Sequence, residues 1–216
     1  MAGGLVKNGA FVTFEGLDGC GKSTQLERAA DWLETAGIPV LRTREPGGTP
    51  IGRKIREVLL DPANHKLCPD SELLLYLADR IQHLQEVILP AKASGTLVLC
   101  DRFHDSAVAY QGYGRGLDLT ATDSIVQNHI TPNLPDLTLW LDLPPKMALE
   151  RLKQLRGANM LDRLDSETPG FFQRAQAGFT ELAQANPERF VRLDGTSDIE
   201  TLHQQVVACF QDRILS

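Results

Sequence analysis

The chain has little of what marks a secreted scaffold, a membrane protein or a nucleic-acid binder. Its four cysteines, Cys20, Cys68, Cys100 and Cys209, are scattered over 216 residues, with no CxxC pair and no His-linked spacing. That excludes a disulfide framework and a zinc ribbon, and a reduced cytoplasm is the simplest setting. Cys68, Cys100 and Cys209 are then expected to be small buried apolar residues. No apolar stretch approaches the roughly 18 residues of a membrane helix, and residues 1–7 lack the apolar core of a signal peptide. Positive charge is also scarce: 22 basic against 28 acidic residues leave a net charge of −6. A basic footprint for nucleic acid is therefore missing, and neither nucleic acid nor membrane is expected as a partner.

What is present is an ordinary globular balance, 42% hydrophobic and 23% charged, enough to bury a sizeable core. No repeat or low-complexity tract divides the chain, so residues 1–216 read as one domain. One imbalance stands out: Arg outnumbers Lys 15 to 7. Arg is the planar, bidentate partner of phosphates, which suits an anionic ligand, although codon usage is the plainer account.

Short apolar runs at 10–14, 39–41, 96–100, 137–141 and 189–193 alternate with helical patterns. The helical patterns cover 22–36, 50–60, 70–94, 104–112, 120–131, 145–156, 167–186 and 197–214. Near-continuous apolar runs suit strands covered on both faces. The alternation predicts an α/β protein in three layers, a five-stranded parallel sheet flanked by helices, with ligands at the carboxyl ends of the strands.

The residues after those runs carry the chemistry. After Glu15 comes Gly16-Leu17-Asp18-Gly19-Cys20-Gly21-Lys22-Ser23-Thr24, which matches GxxxxGK[ST] between a strand and a helix. In such a P-loop the glycines let backbone N–H groups converge on phosphates, and the helix adds its positive end. Lys22 reaches the β- and γ-phosphates, and the Ser23 hydroxyl ligates Mg²⁺. The motif predicts a P-loop NTPase fold. No NKxD motif supports a GTPase and no LSGGQ-like segment supports a transport ATPase. Asp18 would be repelled by a triphosphate, so it either faces a hydroxyl of a second ligand or caps the loop backbone.

The third run ends in Asp101-Arg102, an acid suited to Mg²⁺ and an Arg suited to an anion. Asp142, followed by Pro144-Pro145, reads as structural. The turn-rich stretch from Arg44 to Pro50 precedes Arg53, Lys54 and Arg56, which form either a solvated face or, at Arg56, a ligand contact. Tyr76 and Arg80, one turn apart, are either a base-binding pair or a core Tyr with a surface Arg. Ser106, Tyr110 and Gln111 lie close to a strand end before a glycine-rich stretch, as binding residues do. Arg151, Lys153, Arg156 and Arg163 surround residues 157–160 and read as a mobile lid over about 151–165.

Phosphate-seeking groups beyond the P-loop imply two anionic ligands. A phosphate acceptor, with a second pKa of ~6, is already nucleophilic at neutral pH and needs no general base. It needs charge shielding, in-line positioning and exclusion of water. The absence of a Ser-His-Asp set or an HRD-type Asp agrees with this.

Taken in order, FEGLDGCGKST, REPGGTPIG, LLYLADR, DRFHDSAVAYQGYGRG, PDLTLWLDL and LDRLD make the chain resemble the bacterial thymidylate kinases along essentially its whole length. The P-loop alone is generic, whereas REPGGT with DRF…AYQG is specific. The resemblance implies a transferase of nucleotide biosynthesis that passes the γ-phosphoryl group of ATP to dTMP, giving dTDP, with Mg²⁺, as a homodimer. It implies that the loop from Gly16 to Thr24 (Gly16, Leu17, Asp18, Gly19, Cys20, Gly21, Lys22, Ser23 and Thr24) binds ATP, and that Ser23 and Asp101 organise Mg²⁺. On the acceptor side, Asp18 would take the 3′-hydroxyl, Tyr76 stack on thymine where many relatives have Phe, and Arg80 bond the base. Arg102 and Arg56 would hold the phosphate, Gln111 read the thymine edge and Tyr110 crowd the 2′ position, with Glu45 and Ser106 in the same set. Some relatives carry an Arg in the P-loop where this chain has Gly19, so lid arginines Arg151, Arg156 and Arg163 would join Lys22 and Arg102 as catalytic cations. Arg156 would lie nearest adenine or the phosphates. Ala107 replaces a small polar residue, and Cys20 replaces Ala or Ser at a helix start, a setting that can lower a thiol pKa, which leaves its redox sensitivity an open question. The alternatives are a kinase for another nucleoside monophosphate or a deoxynucleoside, and a nucleotide-dependent switch without a base pocket.

Overall fold

The structure, a computed structural model, describes residues 9–156 and 162–215, without the side chains of Leu155 and Arg156. The five apolar runs are its strands: β1 (Phe11–Glu15), β2 (Val40–Arg44), β3 (Leu97–Asp101), β4 (Leu137–Asp142) and β5 (Phe190–Asp194). All pair in parallel, in the order β2-β3-β1-β4-β5. The connection leaving β1 runs to one side of the sheet and that leaving β3 to the other. A crevice therefore opens at the carboxyl ends of these two neighbours. The register aligns the ends closely, pairing Phe14 and Arg44 with Asp101.

The period of two along each strand divides the core. Val12 and Phe14 join Leu99 and Leu139 on one face, against Leu26, Ala30 and Leu33 of α1 (Lys22–Thr35) and Val206 and Phe210 of a C-terminal helix, Ile199–Arg213. On the other face Phe11, Val98 and Cys100 pack with Leu73, Leu77, Leu84 and Ile88, while Trp140 stacks on Phe179 at 6.1 Å. Burying a Phe fully contributes about 1.5–3 kcal/mol, so Phe11 and Phe14, both with no exposed surface, anchor the central strand. The second face turns polar upward: Thr13 bonds Thr138 at 3.1 Å, and Glu15 ends the same row.

The helices follow the sequence patterns, with informative differences. α2 (Pro50–Leu60) is capped by Thr49, whose hydroxyl accepts from Gly52 N at 2.9 Å. α3 (69–93) opens into a π-helical turn at Leu84–Ile88. Pro90 explains the turn, since it donates no N–H and its ring would strike the carbonyl one α-turn back. α4 (104–114) makes one α-turn and then a π-helical segment, Val108–Gly114, closed by Arg115 N bonding Tyr110 O at 2.9 Å. A short helical stretch, α5 (119–130), leads to β4. It is followed by α6 (Pro145–Arg156), α7 (Pro169–Ala185) and α8 (Ile199–Arg213). Among the described residues no helix is long and apolar enough to cross a membrane. The centre of the expected lid, 157–161, lies outside the described residues.

Candidate active site

The loop between β1 and α1 is built by glycines with positive φ. At Gly16 a Cβ would stand 2.5 Å from Leu141 O, and at Gly19 one would stand 2.6 Å from Ala148 O, so side chains are excluded at both. Gly21 caps α1 without any side-chain bond, leaving the first helical N–H groups for a phosphate. Lys22 lies under this loop, its Nζ donating to Gly16 O at 3.0 Å and Leu17 O at 2.9 Å. Leu17 and Cys20 point the other way, into the core. The helix start does not activate Cys20: burial pushes its thiol pKa up, outweighing the pull of Lys22 and Arg102. Cys68 is exposed rather than buried, and Cys209 is half-buried, while Cys100 is buried as expected.

At the end of β3, Ser23 Oγ donates to Asp101 Oδ2 at 2.5 Å, so the hydroxyl and carboxylate expected to serve a cation are adjacent. Arg102 follows at φ 75°, the sole non-glycine residue with positive φ among those described. Such backbone costs roughly 1–2 kcal/mol. It is held by Arg102 N bonding Phe14 O at 3.0 Å and by the side chain, which donates to Ser106 Oγ at 2.9 Å and Tyr110 Oη at 3.2 Å. The guanidinium also pairs with Asp18 Oδ1 at 2.9 Å and lies over the Tyr110 ring at 4.9 Å. Beneath it Glu15, fully buried, accepts from Phe103 N at 2.7 Å and Ser106 Oγ at 2.5 Å. Burial, then the charge of Asp105, pushes its pKa up to about 8. Glu15 thus props the Arg102-Ser106 turn from below.

Two compartments meet at this point. The first, open to solvent on one side and about 560 Å³ in all, is lined by Asp18, Glu45, Arg56, Tyr76, Arg80, Arg102, Ser106, Ala107, Tyr110 and Gln111, with Pro46, Leu60, Asp162 and Leu164. The second, about 940 Å³, is lined by Asp18, Gly19, Gly21, Lys22, Ser23, Thr24, Asp101 and Leu152, with Arg44, Glu45, Arg56 and Arg102. Asp18, Glu45, Arg56 and Arg102 belong to both and form the wall between them.

The first compartment is organised by buried ion pairs. Arg80 Nε donates to Glu45 Oε2 at 2.8 Å and its Nη2 to Phe103 O at 2.9 Å, while Nη1 has no partner among the described residues. Arg80 is thus not a surface residue. Glu45 Oε1 also meets His83 Nδ1 at 2.9 Å, and the neighbouring Asp79 holds Gly47 N at 3.0 Å. Burial and the charge of Glu45 raise Asp79 to about 6. Arg56 Nη1 donates to Pro46 O at 2.9 Å; burial and the charge of Arg44 lower its pKa. Gln111 Nε2 donates to Glu72 Oε1 at 2.7 Å. Asp142 accepts from Arg192 and Gln176, the structural part expected of it.

All nine residues expected on the acceptor side therefore line one cleft. Arg151 and Arg163 do not join them. Arg151 sits on the face of α6 turned toward β5 and donates to Gly195 O at 3.1 Å, whereas its neighbour Leu152 reaches the second compartment. Arg163 is drawn under α2, donating to Leu59 O at 2.8 Å and pairing with Glu72 at 2.6 Å. Neither lines the second compartment as placed here, and the Arg156 side chain lies outside the described residues. Sequence reasoning missed Glu15, Glu72 and Asp162. An acid ending an apolar strand marked the first, its place one turn before Tyr76 the second, and the LDRLD segment the third.

A parallel sheet in this order, a glycine loop at its switch point and two ligand compartments sharing a charged wall define a P-loop phosphotransferase of small anionic acceptors. Comparison with known proteins agrees. A family model described as thymidylate kinase matches residues 14–206. A thymidylate kinase of Gloeobacter violaceus is 50% identical over 196 residues, 91% of this chain and 92% of that protein. One from Carboxydothermus hydrogenoformans is 46% identical, covering 92% of this chain and 95% of its own. The crystal structure of thymidylate kinase from Ehrlichia chaffeensis superposes with a TM-score of 0.75 at 33% identity, covering 94% of this chain and 99% of that one. The chain belongs to the thymidylate kinase family, whose members are ATP-dependent nucleoside monophosphate kinases.

Proposed function

We propose that the chain transfers the γ-phosphoryl group of ATP to the 5′-phosphate of dTMP, releasing ADP and dTDP. The carrying observation is the wall shared by the two compartments, with Arg102 and Arg56 exposed to both. Donor phosphates on the P-loop N–H groups and an acceptor phosphate in the first compartment would meet across these guanidiniums. The acceptor oxygen attacks the γ-phosphorus as the β–γ bridging oxygen leaves with its electron pair, and no proton has to be removed. Lys22 and Arg102 supply positive charge where the transferred group bears its negative charge.

Ser23 and Asp101 fit Mg²⁺, an ion that takes one or two protein oxygens plus phosphates. When bound, the ion would shield the donor charge from the acceptor. On the acceptor side the unpartnered Nη1 of Arg80 suits a ring carbonyl, Tyr76 offers a ring face and Asp18 an acceptor for the 3′-hydroxyl. Tyr110, bonded to Arg102 beside Asp18, stands where it would crowd a 2′-hydroxyl.

We read residues 1–216 as one kinase domain working in a reducing cytoplasm, a setting four free thiols suit. A homodimer is supported by exposed Ile51 and Val58 on one face of α2 and by Leu74 on the adjacent α3. The deciding experiment measures ATP consumption with dTMP, dUMP, dCMP, GMP and thymidine offered separately. Turnover with dTMP far above the others is expected, and no dTMP-dependent turnover would overturn the assignment.

A further inference from the structure

Glu72 touches neither compartment, yet it is completely buried and densely engaged. Its Oε1 accepts from Gln111 Nε2 at 2.7 Å and Arg115 Nε at 2.9 Å. Its Oε2 accepts from Arg115 Nη2 at 2.9 Å and faces Arg163 Nη2 at 2.6 Å, an ion pair outside hydrogen-bonding angles. Arg115 is itself balanced by Glu167, 2.7 Å away. Burial pushes the pKa of Glu72 up, but the bonds from Arg115 and Gln111 and the charge of Arg163 outweigh it and leave the pKa lowered.

An ionised carboxylate has no proton to give, so every polar neighbour must offer it an N–H. Gln111 has one such end. With Nε2 turned to Glu72, its carbonyl Oε1 is the end left for the cleft that Gln111 lines. We propose that Glu72 is a positioning residue that fixes the polarity of the Gln111 amide, so that the acceptor cleft selects a ring presenting an N–H donor over one presenting a lone pair. Thymine and uracil present an N–H at N3, whereas cytosine presents a lone pair there. The proposal rests on the reading of Gln111 as the base-edge residue given above.

Glu72→Gln tests it. The new amide keeps its oxygen toward Arg115 Nη2 and Arg163, where both cations meet, and gives up the bond from Arg115 Nε, which turns its NH₂ end to Gln111. Gln111 then turns its carbonyl inward and presents its own NH₂ to the cleft. The expected result is a fall in kcat/KM for dTMP and dUMP together and a rise for dCMP. The dTMP to dCMP ratio drops at least about tenfold with the KM for ATP unchanged, because a mispaired buried group carries the discrimination. A merely structural role would lower all three acceptors alike, and that outcome, or an unchanged ratio, overturns the proposal. Should Glu72→Gln fail to fold, Glu72→Asp replaces it. That variant still only accepts hydrogen bonds, so the preference for dTMP must persist while its KM rises, and loss of the preference overturns the proposal. If the wild-type protein does not phosphorylate dTMP, the assignment of function fails first, which the same assay reports separately.

Discussion

Replacing Arg102 by Ala and, separately, by Gly divides its two contributions, since the residue combines strained backbone with a guanidinium in the wall between compartments. Both variants remove the bonds to Ser106 and Tyr110 and the pair with Asp18. On function they should be equal. A charge-assisted bond to a phosphate contributes about 1.5–3 kcal/mol, roughly one to two orders of magnitude in KM for dTMP. Loss of a charge facing the transferred group costs kcat on the order of 10²–10³. Together kcat/KM should fall by about 10³–10⁵, while ATP affinity, held by the loop and Lys22, survives. On stability they should differ. At φ 75° Gly escapes the strain Ala retains, so Arg102→Gly should be more stable than Arg102→Ala by about 1 kcal/mol, roughly 2–4 °C in Tm. The assays are coupled ADP release with varied dTMP, ATP titration and thermal melting. Collapse of ATP affinity with an unchanged KM for dTMP would assign Arg102 to the donor side. Equal melting of the two variants would refute the backbone argument.

Glu15 titrates in the folded protein at about 8 against an ordinary 4.5. Between these values the folded chain holds a proton the unfolded chain has lost, so the residue weakens stability progressively as pH rises from about 4.5 to 8 and no further above. The Tm of Glu15→Gln relative to wild type should therefore climb across that window and then level off, whereas a parallel pair of curves would refute the shift. Gly16→Ala forces a Cβ to 2.5 Å from Leu141 O at φ 134°, and should lower stability by about 2–3 kcal/mol and abolish ATP binding. Mild alkylation should modify Cys68 first, since it is exposed and the Ser71 bond lowers its pKa, and leave buried Cys20 untouched with activity intact. Mass mapping that finds Cys20 modified together with lost activity would contradict this.

Much of the site was legible because its residues are local to strand ends. Gly16 to Thr24 follow β1 directly, and Asp101, Arg102, Ser106, Tyr110 and Gln111 lie on one continuous stretch after β3. A parallel sheet brings such ends together whatever the details of packing. What escaped depends on pairing across long separations. Arg163 read as a lid cation because it closes the stretch that Arg151, Lys153 and Arg156 open, yet the buried carboxylate of Glu72 captures it. Arg151 and Leu152 are adjacent in sequence but point about 100° apart on α6, so the apolar one faces the donor compartment and the cation faces β5. Glu15 was visible as an acid closing an apolar strand, but its partners, Phe103 N and Ser106, appear only once β1 and β3 are registered.

The π-helical segment at Val108–Gly114 makes this stretch sensitive to its length more than to its composition. A π-helical turn holds one residue more than an α-turn, so deleting one residue there would restore ordinary pitch and restation the residues inside the segment by up to about 100° each. Gln111, inside the segment, would lose its station beside the cleft and its bond to Glu72. Substitutions at solvent-facing positions of the segment can be absorbed by rotamer changes, whereas a change in residue count has no side-chain remedy. Homologous chains that keep the Arg102-to-Arg115 spacing should therefore tolerate wide variation at exposed positions within it, and those that alter the spacing should read a different base.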